Sequence, residues 1–252
     1  MADGRFLRGE SVPVAGAHQH RDAHRDVSGG WLRPAVFGVM DGLVSNVALL
    51  SGFAGSSAGR STAVLAGLAG VAAGALSMAT GEFTSVASQN EAMTAEIEVE
   101  RQALNDFPAA ERAELAATYR SKGVEAELAA AIANQLHLDP DVALAVHSQE
   151  ELGVTPGRLP SALLAAVSSF AAFAAGAIVP VLPYLLAPRV LGSHTFLVSA
   201  VLAAVALFAV GVGVSRFTGR SPVLSGTRQL LLGVLAAGAT YLVGVLVGGV
   251  VQ

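Results

Sequence analysis

The sequence predicts an all-α, polytopic membrane protein: five transmembrane helices with a small cytoplasmic helical insert between the second and the third. Three observations carry this. Of 252 residues 53 % are hydrophobic and only 13 % charged, with a mean hydropathy of +0.58, which is not the composition of a water-soluble surface. Five stretches between charged side chains are long enough to cross a bilayer core of about 30 Å, which takes roughly 20 apolar residues as a helix. Between the second and third of these stretches the composition turns abruptly acidic.

Residues 1–30 carry Arg5, Arg8, Arg21 and Arg25 and no apolar run, so they read as a polar tail and not as a cleaved signal peptide. His18, His20 and His24 have the ligand type for a metal, but nothing apolar surrounds them to fix their geometry, and a disordered tail is the better reading. Residues 31–90 hold the first two spans: Pro34 to Gly59, broken only by Asp41, and Ser61 to Gly81, which ends at Glu82. Residues 159–252 hold the other three, Leu159 to Pro188, Thr195 to Ser215 and Gln229 to Gln252. Pro180 and Pro183 should interrupt the backbone ladder near one end of span three. Gly70/Gly74 and Gly244/Gly248 place small residues one turn apart, which suits either ordinary close packing or a dimer seam.

Lys and Arg are distributed unevenly across these spans. Thirteen fall in the tail with Arg33, in the insert and in the loop after span four, against Arg60 and Arg189 on the other side. By the positive-inside rule the N-terminus and the insert are cytoplasmic, and the Ala-rich, Cys-free composition is compatible with a bacterial cell membrane. A formal charge of −4 gives no footprint for nucleic acid, and the absence of Cys removes thiolate metal sites and cysteine nucleophiles. No Ser-His-Asp or phosphate-loop arrangement is visible, so the chain does not read as an enzyme.

The insert, residues 91–158, holds thirteen of the nineteen acids against five bases. Span two should continue as a helix through about Leu104. Asp106 and Pro108 open a second helix that stops at Lys122-Gly123, a third runs from Glu125 to about Leu136 with Leu128, Ile132 and Leu136 on one stripe, and Asp139-Pro140 opens a fourth that ends at Leu152-Gly153. Glu96/Glu100, Glu111/Glu114 and His147/Glu151 each share a helical face. Charge runs are ordinarily solvated surface, and on the residues alone that reading is preferred; the alternative is that these pairs converge, with Glu150, on a divalent cation suited to oxygen and imidazole ligands. His137 and His194 carry no pattern.

A carboxylate at the centre of a membrane helix costs about 2.5 to 3.5 kcal/mol on insertion scales, so Asp41 should face a cavity or a partner. Ser45 stands one turn further on the same face with Asn46 beside it, and in span two Met78 and Glu82 are one turn apart. A divalent cation can pass between these groups. Met78 taken alone reads more readily as packing.

The stretches that carry these residues are GWLRPAVFGVMDGLVSNVALLSGFAG (Gly30 to Gly55), GLAGVAAGALSMATGEFTSVASQ (Gly67 to Gln89), EELGV (Glu150 to Val154) and SSFAAFAAGAIVPVLPYLL (Ser168 to Leu186). Together they resemble the vacuolar iron transporter family, in the bacterial form with a cytoplasmic metal-binding insert. The resemblance implies a five-span homodimer that moves Fe(II), and often Mn(II), out of the cytoplasm in exchange for protons, with metal as substrate and no tightly bound cofactor. It implies a path at the dimer interface lined by Asp41 and Met78, and metal held in the insert by Glu100, Glu111, Glu114 and Glu151. The chain departs from the family at His147 and Ser148, where a pair of methionines is usual, and at Ala103, where a carboxylate is usual; His147 can substitute as a ligand. The rival reading is a membrane-anchored metal sensor or scaffold that binds cations without moving them.

Overall fold

The computed structural model describes residues 30–56, 59–186 and 191–251. The tail expected over 1–30, with His18, His20 and His24, lies outside them except for Gly30. Among the described residues the chain is helical and contains no strand. In order it forms α1 (Leu32–Gly55), α2 (Arg60–Asp106), α3 (Pro108–Ser121), α4 (Ala126–Leu136), α5 (Pro140–His147), α6 (Ala162–Ile178), α7 (Leu182–Leu186), α8 (Thr195–Thr218) and α9 (Pro222–Val251).

Five segments are long and apolar enough to cross a membrane: α1, the apolar first part of α2, α6 with α7, α8, and α9 as far as Gly248. The fifth starts earlier than the charge gaps suggest. Gly219, at φ 65°, closes α8 in the left-handed conformation, and Pro222 opens α9, so Arg228 rides on the helix and not in a loop. The second does not stop at Glu82. α2 runs for 47 residues, roughly 70 Å at 1.5 Å per residue, so more than half of it projects beyond a bilayer core of about 30 Å.

α1 is the central helix, packed against α2, α6, α8 and α9. Glycine makes this possible by removing the side chain where backbones meet. A methyl group at Gly42 would run into the Phe173 carbonyl of α6, and one at Gly244 of α9 would run into the Gly52 carbonyl of α1. The Gly244/Gly248 pair therefore packs within one chain. Asn46 ties three helices together, its amide donating to the carbonyls of Gly67 on α2 (3.2 Å) and Ala177 on α6 (2.6 Å). Pro180 and Pro183 break span three into α6, a tight turn over Val179–Val181 and α7. The carbonyls that the two prolines leave without a helical donor, Gly176 and Val179, accept from the N–H groups of Val179 and Leu182, and the Ser199 hydroxyl of α8 donates to the Pro180 carbonyl, as a membrane interior requires.

Between α2 and α6 the chain folds α3 and α5 against the projecting end of α2, with α4 packed on α3 and α5. Ile97, Leu115, Ala129, Ala133 and Leu144 supply buried apolar side chains. α4 is rotated from the expected stripe: Ala129 and Ala133 are buried while Leu128 is 55 % exposed, because the two alanines admit a closer approach than a leucine face would. Asp139 caps α5, its carboxylate accepting from the amides of Asp141 (3.0 Å) and Val142 (3.4 Å).

Candidate metal centre and membrane cavities

Four side chains from four separate turns converge in the insert. Glu100 comes from the projecting part of α2. Glu111 stands in the first turn of α3, where the helix dipole favours a carboxylate and Pro108 fixes the start. His147 ends α5, and Glu151 lies in the π-helical turn Ser148–Leu152 that follows, before Gly153 (φ 68°) closes it. One ligand atom from each of Glu100, Glu111, His147 and Glu151 lies within 4.8 Å of the others. His147 Nδ1 is at the middle, 2.9 Å from Glu151 Oε1, 3.0 Å from Glu100 Oε1 and 3.7 Å from Glu111 Oε2.

This arrangement lacks what would balance it. His147 is fully buried and can donate one Nδ1 proton, which the geometry assigns to Glu151; Glu100 Oε1 and His147 Nε2 are then buried without a hydrogen-bond partner. Three carboxylates facing one imidazole are stable together only if a cation or protons neutralise them. Burial, then the charge of Glu151, pushes the Glu100 carboxyl above its ordinary 4.5, and His147 only partly offsets this. Burial, then the charge of Glu114, does the same at Glu111. Three oxygens and an imidazole nitrogen are the donor set of Fe(II), Mn(II) or Zn(II), and a poor one for Cu(I).

A pH dependence follows with a definite sign. The raised carboxyls hold protons above 4.5 that an unfolded chain would release, so the metal-free insert loses stability as pH rises through that window. Metal must displace the same protons. Mn(II) affinity is therefore expected to fall by about tenfold or more between about pH 7 and about pH 5, with proton release on binding. Titration calorimetry in buffers of different ionisation enthalpy checks both.

The other acids of the insert are placed differently. Glu114 is exposed and outside the four, though near enough to raise Glu111 and Glu100. Glu96 is exposed one turn before Glu100. Glu150 forms an ion pair with Lys122. Sequence reasoning missed His137, whose ring meets that of His147 edge-on at 5.2 Å between centroids; no spacing pattern marks it, since the contact joins the ends of α4 and α5.

In the membrane part, Asp41 lines two cavities. One of about 330 Å³ also contains Ser45, Asn46, Ser77, Met78 and Phe173. The other, of about 580 Å³, contains Arg33, Met40, Glu82 and Gln229. Met78 thus shares one cavity with Asp41, and Glu82 shares the other. Asn46 is 2 % exposed, and with its amide nitrogen committed to two carbonyls its Oδ1 is left buried without a partner. A methyl group at Gly70 would come within 2.9 Å of that oxygen, so glycine there leaves it room.

Known proteins resemble this chain over most of its length. The model of the VIT family matches residues 32–245. The chain is 30 % identical over 222 residues to vacuolar iron transporter 1 of Arabidopsis thaliana, covering 88 % of each chain. It is 31 % identical over 236 residues to vacuolar iron transporter 2 of Oryza sativa subsp. japonica, covering 94 % of this chain and 95 % of the relative. A vacuolar iron transporter of Plasmodium falciparum is 27 % identical over 221 residues, covering 85 % of this chain and 81 % of the relative.

Proposed function

This chain belongs to the VIT family, and on that premise we propose that it carries Fe(II), with Mn(II) as a second cargo, out of the cytoplasm in exchange for protons. The observation that carries this reading is Asp41, a carboxylate within a membrane-spanning helix that lines two cavities at once. A carboxylate at that depth holds a cation or a proton in preference to a bare charge. Exchange of one for the other is coupled transport.

In this scheme the N-terminus and the insert are cytoplasmic, following the distribution of Lys and Arg. The acidic insert concentrates divalent cations, and Glu100, Glu111, His147 and Glu151 hold one. The cation then passes Glu82 and Met78 to Asp41, with Ser45 and the free Oδ1 of Asn46 as further oxygen ligands. Proton entry at Asp41 releases it. A homodimer is the assembly that suits this path. Ser45 is exposed, and the apolar windows of α2 and α9 are only 17 % and 6 % buried, so a second copy has a face to cover.

Reconstituted vesicles test the proposal. Inside-acidic proteoliposomes are expected to accumulate Fe(II) at a rate that collapses when the proton gradient is dissipated. A protein that binds Fe(II) but moves none under either condition would be the sensor or scaffold instead.

A further inference from the structure

We propose that the insert carries a second, anion-binding site beside its metal centre, one that takes a small polyanion of carboxylate or phosphate type. The site is a cavity of about 320 Å³ between α2, α3 and the ends of α4 and α5, lined among others by Arg101, Asn105, Pro108, Arg112, His137 and Leu144. It lies on an adjacent face of the same helices that hold the metal ligands. Arg101 follows Glu100 and Arg112 follows Glu111, each about 100° further round its helix, and the His137–His147 ring contact forms the partition.

Two of the five bases of a strongly acidic insert meet in this cavity, and no carboxylate lines it. Arg112 spends its Nε on the Pro108 carbonyl (2.9 Å), which orients the guanidinium, and it has no ion-pair partner among the described residues. Arg101 meets only Glu98, through Nε at 3.2 Å, in a half-exposed pair of the kind that contributes little. Both therefore keep terminal N–H groups free for the bidentate recognition of an oxyanion. Asn105 adds an amide, and α3 begins at Pro108 with no side-chain cap. His137 donates its Nδ1 proton to the Ala133 carbonyl (2.8 Å), which fixes the orientation of its ring in the cavity wall.

The electrostatics give such a site a purpose. A divalent cation in solution is commonly complexed by small carboxylate or phosphate ligands, and a negatively charged complex is repelled by the acids around the cluster. A basic pocket one helix-width from the metal ligands lets the complex dock, and it holds the anion as the metal moves across to Glu100 and Glu111. The pocket's chemistry comes from its own residues and does not depend on whether the membrane part transports.

The test is titration calorimetry on the detergent-solubilised, metal-free full chain, with citrate in one arm and inorganic phosphate in the other. At least one is expected to bind the parent. Arg101→Gln with Arg112→Gln should weaken that binding by about a hundredfold, roughly tenfold for each charge-assisted contact removed. The same variant should keep its Mn(II) affinity, which also reports that it is folded. If the double variant does not fold, Arg112→Lys, which keeps the charge and removes the planar fork, should still weaken binding by about threefold or more. No binding of either anion to the parent overturns the proposal, as does a binding affinity that these substitutions leave unchanged. The arm that binds more tightly separates the carboxylate source from the phosphate one.

Discussion

Asp41→Asn is expected to leave a folded, membrane-inserted protein whose Fe(II) flux in proteoliposomes is at least a hundredfold below that of the parent. The substitution keeps the shape and the oxygen of the side chain and removes its ionisation, so packing of α1 against α6 is preserved. What disappears is the group proposed to exchange a cation for a proton. A loss of about 2.7 kcal/mol in transition-state stabilisation corresponds to that hundredfold and is modest for removing one charged ligand in a water-poor site. Because Asp41 lines the cavity of Met78 and also that of Glu82, neither cavity offers a carboxylate that can replace it in both; Glu82 reaches only the larger of the two. A variant that transports and couples at the parent's rate would remove Asp41 from the mechanism.

The second large effect is at the insert. Changing Glu100, Glu111 and Glu151 together to Gln should lower Mn(II) affinity by at least about a hundredfold, since three of four ligands lose their charge. The metal-free variant should melt at the same temperature as the parent or higher, because the substitution also removes three like charges held against one another. The two readouts move in opposite directions, which separates loss of a binding site from loss of a fold. Unchanged calorimetric affinity would place the metal elsewhere in the insert.

Much of this architecture can be read from charge alone, because in a bilayer a charged side chain is costly enough to punctuate the chain. The gaps at Arg33, Arg60, Arg158 and His194 locate four spans. Arg228 misplaces the start of the fifth, since a basic side chain near a helix end can reach the interface and does not terminate the helix. Local signals also carry the insert helices: Pro108, Asp139-Pro140, Gly123 and Gly153 set their ends through fixed φ, capping and the left-handed conformation. Which acids meet is a different matter. Glu150 and Glu151 are neighbours in sequence, yet one faces Lys122 and the other His147, and only the docking of α5 and the turn after it against α2 separates them. Periodicity placed Leu128 on the inner stripe because it weighs hydrophobicity and ignores the small volume of Ala129 and Ala133. No acid or second His stands one turn before His137 in α4, so it forms no ligand pattern.

The continuity of α2 ties the two ends of the proposed route to a common azimuth. Eighteen residues separate Glu82 from Glu100 on one unbroken helix, about five turns, so both carboxylates leave the rod in nearly the same direction roughly 27 Å apart. Inserting or deleting a single residue between them would swing the collecting end by about 100° away from the bilayer mouth. The length of that stalk is thus constrained to whole turns, although few of its side chains need touch the metal.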